Sequence, residues 1–384
     1  EITTRLVGSE MCIRDSPSTM QLNRLKWETT TEYNTGLDAS FLKGKLRFTV
    51  DVYQKYIKDL LQKKVKMPTS IGYGNGYEVS YMNSGKMTNK GWEFRVDAVP
   101  FENRDWRVGF YFNIAHNENK ITEMPDNYTE ENYTFNNGEY AYRREEGRPM
   151  GSFYGYRYKG VCQNKDATYA RDADGNVMKD ISGNAIVMRN GTATIAPGDA
   201  LYEDINHDGV INQYDIVYLG NSNPRFTGGA GVNVSYKQFK LSAIFYGRYG
   251  QDVVNSTRLN NESMRGIDNQ STAVLRRWRN EGDQTDIPRA LYGEGYNTLG
   301  SDRFVEDASY LRLKSLSFNY RLPKKIIQRW GFSNIDVYVT GYNLFTWTKY
   351  TGQDPEVKTE NTYARDSATT PASIQLVAGF NLSF

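Results

Sequence analysis

The sequence predicts an all-β protein, the C-terminal portion of a large antiparallel β-barrel that crosses a membrane with its strands. Three observations carry this. Long segments alternate apolar and polar side chains with period two, the mark of strands with two different surroundings. The connections between those segments alternate short and long along the whole chain. Finally, only 39% of residues are hydrophobic while 24% are charged, and no stretch approaches the roughly 20 apolar residues of a membrane helix. A membrane strand needs only one apolar face, so the composition is compatible with a barrel.

Nine strands are predicted, at 27–41, 45–61, 90–101, 106–121, 226–236, 240–254, 308–322, 335–347 and 373–384. The last reads SIQLVAGFNLSF. Ile374, Leu376, Ala378, Phe380, Leu382 and Phe384 are apolar, and the residues between them are small or polar, Val377 excepted. Trp92, Phe94, Val96 and Ala98 share one face of the third strand, and Trp106, Val108, Phe110, Phe112 and Ile114 one face of the fourth. Many of these segments exceed an ordinary strand, as tilted membrane strands of about 9–11 residues must.

The connections 42–44, 102–105, 237–239 and 323–334 are short, whereas 62–89, 122–225, 255–307 and 348–372 are long. An antiparallel barrel with turns on one side and large extracellular loops on the other gives this rhythm. The first and last strands both run toward the short-turn side, so their number is odd. Bacterial barrels close with an even number, and an open edge in lipid would leave backbone groups unpaired. Nine strands are therefore expected to belong to something larger. A tenth candidate, GSFYGYRYKGV at 151–161, would break the rhythm and is assigned to the long 122–225 loop as an extension or hairpin. Residues 1–20 carry no signal-peptide pattern and are unlike the Tyr- and Gly-rich remainder. They are expected to be a loop of a longer parent or an artefact of sequence assembly.

A net charge of +2 gives no reason to expect nucleic acid. Cys12 and Cys162 form no metal or redox motif, and nothing in their surroundings supports a disulfide. His116 and His207 have no catalytic partner legible in the sequence, and the pair Glu145–Glu146 is an ordinary surface feature. No enzymatic activity is expected. The basic run RRWR at 276–279 reads as a loop helix or a partner-facing patch.

One local motif carries chemistry. DINHDGVINQYD at 204–215 places Asp204, Asn206, Asp208, Asn212 and Asp215 at positions 1, 3, 5, 9 and 12 of a calcium-type loop. Gly209 occupies the sharp-turn position, Val210 would offer its carbonyl, and Ile211 would anchor the loop to a core. Hard oxygen ligands favour Ca²⁺ over a transition metal. With no flanking helix pair, the expected ion is structural. The competing reading is a turn whose Asp and Asn side chains bond their own backbone. DADGN at 172–176 is expected to be a turn of that kind.

Several phrases, in order, resemble one family. They include LKWETTTEYNTGLDASFLKGKLRFTVDVYQKYIKDLL at 25–61, MNSGKMTNKGWEF at 82–94, EGRPMGSFYGYRYKGV at 146–161 and YEDINHDGVINQYDIVYLGNSNPRFTGG at 202–229. RRWRNEGDQTDIPR at 276–289, FVEDASYLRLKSLSFNYRLP at 304–323, GYNLFTWTKYTGQDPEV at 341–357 and the Phe-terminated last strand continue the series. Over residues 21–384 the chain resembles the SusC/RagA-type TonB-dependent outer-membrane transporters of Bacteroidetes. The resemblance implies a 22-stranded barrel in the cell outer membrane, with about 13 strands upstream, and it implies a plug and a TonB box outside these residues. It further implies a SusD-like surface lipoprotein seated on the long loops, a TonB complex as energy source, and oligosaccharides or peptides as cargo. The terminal aromatic strand would carry the signal for barrel assembly. The substrate and partner surface is expected in loops 122–225 and 255–307. There the Tyr- and Asn-rich stretch 127–144 suits either ligand contact or loop packing. The alternatives are a passive porin and a secreted, calcium-stabilised all-β carbohydrate-binding module.

Overall fold

The computed structural model describes residues 25–66, 78–83, 85–124, 131–132, 134–293, 295–360 and 363–384. Residues 1–20, Cys12 among them, lie outside this set.

Nine strands form one sheet in sequence order: β1 (Thr29–Phe41), β2 (Leu46–Lys58), β3 (Lys86–Glu102), β4 (Trp106–Glu123), β5 (Phe226–Tyr236), β6 (Phe239–Tyr249), β7 (Tyr310–Arg321), β8 (Asn334–Thr348) and β9 (Gln375–Ser383). All neighbours are antiparallel. The count and rhythm match the sequence reading, while some boundaries move for local reasons. β2 stops at Lys58 because Asp59 takes a left-handed backbone (φ 54°), and β6 stops at Tyr249 because Gly250 does (φ 74°). β1 and β9 are the two edges of the sheet and do not pair with each other among the described residues.

Residues paired across neighbouring strands share a face, so the register settles the two surfaces. One row runs Ala39, Phe48, Val96, Phe112, Ala230, Phe245, Leu313, Phe345. The adjacent row runs Asp38, Thr49, Arg95, Asn113, Gly229, Tyr246, Arg312, Thr346. One face is therefore apolar and the other polar and charged. The apolar face stays uncovered: Val339 is 49% exposed, Phe380 67% and Leu376 75%. A soluble sandwich would lay a second sheet over it, and among the described residues none does.

That face is bordered by two aromatic belts. At the short-turn end, ring centroids lie 5.5 Å apart for Phe41 and Phe48, 4.3 Å for Trp106 and Tyr236, and 4.7 Å for Phe239 and Tyr320. At the long-loop end, His116 lies 6.1 Å from Trp92 and 5.2 Å from Phe226, which lies 6.4 Å from Tyr249. The His116 Nδ1–H donates to the Arg225 carbonyl at 2.6 Å, so this imidazole belongs to the belt. Phe226 and Tyr236 bound β5. Ten residue steps span about 33 Å along a strand, or roughly 25 Å of height at a barrel strand's tilt, the thickness of an outer-membrane apolar band.

The stretch 151–161 lies in the long loop, but not as a hairpin. Ser152–Gly155 pairs with Val217–Asn221, and Tyr158–Val161 pairs with Ala200–Tyr202. Tyr156, between them, donates its N–H to the Gly300 carbonyl at 2.9 Å. Phe153, Tyr154 and Tyr156 are buried, so this aromatic run needs cover on both sides, which a two-stranded hairpin lacks.

The register predicts a depth- and face-dependent penalty. In the full receptor, Val339→Arg on the apolar face should lose about 2–4 kcal/mol of stability in bilayers. Asn319→Arg, one residue step from the same level on the polar face, should lose less than about 1 kcal/mol. Urea unfolding followed by heat-modifiable gel mobility reads both, and equal losses would contradict the assigned faces.

Candidate functional site in the loop layer

The sheet holds little of the molecule's core. Buried apolar residues gather instead in the long connections, and the three that follow β4, β6 and β8 share one core. Tyr140 and Phe153 from the first pack with Val254, Leu259 and Phe304 from the second and Tyr363 from the third. Tyr156, Cys162, Met188, Ile195, Tyr202 and Ile211 form a neighbouring cluster closed by Leu299. Backbone contacts tie the first two connections together, with Gly138 N–H donating to the Thr298 carbonyl at 2.7 Å. A side chain at Gly300 would collide with the Glu139 carbonyl, so the strands of loop approach as closely as glycine permits. Burial pushes the Cys162 thiol up to about 11, leaving it protonated and unreactive at neutral pH.

Ion pairs fix the periphery of this core. Arg258 Nε donates to Glu262 at 3.0 Å and its Nη1 to Glu306 at 3.1 Å, while Arg303 Nη2 reaches Glu262 at 2.8 Å. The side chains of Arg303 and Glu262 are only 4% and 5% exposed. Arg289 forks onto Asp199 at 2.7 and 3.1 Å. Arg312, on the polar face near the long-loop end of β7, holds Asp354 and Glu356 of the last connection. Such buried pairs add little net stability over apolar packing, but losing one partner strands the other charge. They fix geometry more than they add energy.

In the calcium-type loop, Asp and Asn side chains bond the loop's own backbone and one another. Asp204 accepts from the N–H groups of Asp208 (3.3 Å) and Gly209 (2.8 Å), and Asp208 accepts from Val210 N–H (2.7 Å). The Asn206 side chain donates to Asp208 at 2.9 Å, and the Asn212 side chain donates to the Val210 carbonyl at 2.9 Å. Asp215 is fully buried and accepts from Ile205 and Asn212 N–H, each at 2.8 Å. Burial, with the Asp204 charge adding, holds its carboxyl above the usual carboxylate range. Gly209 has φ 79°, as the sharp turn requires. Ile211 is buried in the loop core, as expected of an anchor. Among the described residues no three His, Cys, Asp or Glu side chains converge into a metal cluster, so a cation here would draw on the amide and carbonyl oxygens as well. At 172–176, Asp172 accepts from Asp174 N–H at 3.0 Å and Asn176 N–H at 2.8 Å, the expected turn. Asp180 repeats the arrangement with Ser182 and Asn184, which the sequence reading did not single out.

Within the Tyr/Asn-rich stretch 127–144, residues 127–130 and 133 lie outside the described set. Tyr140 and Tyr142 are buried, and the Tyr140 hydroxyl donates to the Ser301 carbonyl at 2.7 Å. These rings pack the loop. Of RRWR, Trp278 faces inward against Gly198, following the short 3-10 helix Thr272–Arg276, while Arg276 and Arg279 are exposed. The sequence reading missed a polar cleft of about 660 Å³ whose lining includes Asn136, Asn137, Asn260, Asn261 and Asn269. Its residues come from separate connections, and no periodicity joins them.

Residues 8–344 match the family model described as TonB dependent receptor-like, beta-barrel. TonB-dependent receptor P3 of Formosa agariphila is 32% identical over 349 residues, covering 88% of this chain and 32% of that relative. TonB-dependent receptor SusC of Bacteroides thetaiotaomicron is 27% identical over 370 residues, covering 94% and 32%. Among solved structures, the RagAB peptide transporter aligns at TM-score 0.67 with 27% identity, covering 93% of this chain and 36% of that one. The RagAB peptide importer in its open-open state aligns at TM-score 0.73 with 25% identity, covering 95% and 36%. The chain spans about a third of the length of the curated relatives it matches.

Arg312→Ala should release the last connection without dissolving the sheet. With Asp354 left partly buried without its cationic partner, while Glu356 keeps Lys314 at 2.9 Å, the local cost is about 2 kcal/mol. Hydrogen exchange over 350–366 should accelerate while heat-modifiability persists. Unchanged protection there would show that the ion pairs do not hold the loop.

Proposed function

The chain belongs to the SusC/RagA type of TonB-dependent outer-membrane receptors, and on that premise we propose that the whole receptor imports oligosaccharides or peptides with a SusD-like surface lipoprotein. The observation that carries this is the loop layer. Three long connections share one packed core on the extracellular side, a costly arrangement to order unless it presents a surface. The likeness to the RagAB peptide importer supports the same reading. Energy would reach the receptor from the TonB complex. The relatives are receptors, in keeping with the expectation of no enzymatic activity.

Loss of TonB in cells carrying the full receptor should abolish uptake of its cargo. Uptake that persists without TonB would favour the passive porin.

We also propose Ca²⁺ as a structural ion of the loop 204–215. The oxygen spacing supports it, and so does the buried Asp215 carboxyl beside Asp204, whose charge a cation would offset. A carboxylate can bind an ion while still accepting backbone N–H bonds, having about four lone-pair sites. Asp204→Asn with Asp208→Asn should weaken Ca²⁺ binding about tenfold or more by calorimetry on the full receptor. Affinity should also fall as pH drops, because protons compete for the carboxylates. If the unmutated receptor gives no Ca²⁺ heat at millimolar ion, the side-chain-to-backbone bonds alone hold the loop.

A further inference from the structure

The apolar face carries a trough near its outer end. Gly228 and Gly247 pair directly across β5 and β6, and the same row continues to Ile114 on β4 and to Leu311 and Trp347 on the other side. Two adjacent positions on this row therefore lack side chains, between neighbours that have large ones. β4 and β7 stand three strand spacings apart, about 14 Å, so the gap between Ile114 and Leu311 admits a slender apolar chain. One row deeper, Ala230 sits between Phe112 and Phe245. One row higher, Phe226 faces Tyr249 in the outer aromatic belt. The trough holds about 690 Å³ and, from Phe226 to Ala230, runs about 13 Å along the strand. A Cβ on Gly228 would stand 2.5 Å from the Asn113 carbonyl oxygen, and one on Gly247 would stand 2.7 Å from that of Tyr310. Close approach of the flanking backbone thus keeps the floor bare. These strands are all internal to the sheet, so the trough is complete within this chain.

What fills the trough follows from where it lies. The face meets hydrocarbon, and an apolar furrow there is filled by lipid rather than water. It opens at the belt from which the long connections emerge, so its occupant belongs to the outer leaflet. Its mouth is lined by Asp307, Ser309 and Lys349. The Lys349 side chain is exposed and has no partner among the described residues, a position suited to a phosphate at headgroup level. Asp307 accepts from the N–H and the hydroxyl of Ser309 through one oxygen, which leaves the other to accept a sugar hydroxyl. A phosphorylated sugar headgroup meets both, with its phosphate at the lysine and a hydroxyl at the carboxylate.

We propose that the trough binds an acyl chain of a phosphorylated glycolipid of the outer leaflet, with the lipid's phosphate held by Lys349. The site lies on the receptor's outer wall and does not depend on which cargo crosses the lumen. The test is native mass spectrometry of the full receptor released from detergent, titrated with lipid A and, separately, with phosphatidylethanolamine. Lipid A should bind saturably. Ala230→Phe, which fills the deep end of the trough, should weaken it about tenfold, as loss of two buried methylene groups would. Lys349→Gln, just past the end of β8, should weaken it severalfold and leave assembly, read by heat-modifiable mobility, unchanged. Val339→Phe, on the same face but away from the trough, should leave binding unaltered. Lipid A binding that does not saturate, or that is equal in all three variants and the unmutated receptor, would mark ordinary surrounding lipid and overturn the site. Equal or tighter binding of phosphatidylethanolamine would overturn the glycolipid assignment. If Ala230→Phe fails to assemble, unchanged binding in Lys349→Gln is enough to overturn the headgroup contact.

Discussion

The register of the nine-strand ladder is the constraint on which the rest depends. Backbone groups inside hydrocarbon need partners within the protein, and antiparallel pairing supplies them along every internal strand. Because side chains alternate, the same pairing decides which residues meet lipid. A slip of one residue would carry Arg95 and Asp97 to the face now held by Phe94 and Val96. The two aromatic belts then fall at fixed heights, and the long connections all emerge beyond the same belt.

Beyond that belt the physics changes from lipid to water, and the protein builds an ordinary globular core there. Tyr154, Phe153, Phe304 and Leu299 are fully buried, whereas no residue of the apolar sheet face reaches that state without its membrane. Buried arginine–carboxylate pairs surround the loop core and hold its pieces in one arrangement.

Much of this architecture was legible because strand alternation is a local property. Ile374 through Phe384 announce their strand residue by residue, and the short–long rhythm needs only counting. Exact ends were less legible: the left-handed turn at Asp59 overrides a continuing apolar pattern, and Gly250 diverts 252–255 into the loop layer. An Asp- and Asn-rich turn at 204–215 was legible from its spacing, but not the role of Asp215, whose oxygens cap the loop's own amides. The run 151–161 misled because an aromatic stretch buried on both sides looks like a strand pair until its distant partners are known. The amide cleft was illegible for the same reason, since Asn137 and Asn260 become neighbours only when two connections fold together.

The shared loop core has a consequence for how such a receptor diversifies. Thr298 bonds Asn137, Ala364 bonds Ser222, and Asp302 bonds Tyr158, each across more than a hundred residues of chain. Residues in direct contact respond non-additively to substitution. Inherited changes in one connection are therefore filtered by the other two, so substitutions that remodel the layer are expected to come in coordinated sets across the three. The lipid-facing rows carry no such coupling to the loop core and are free to drift among apolar residues.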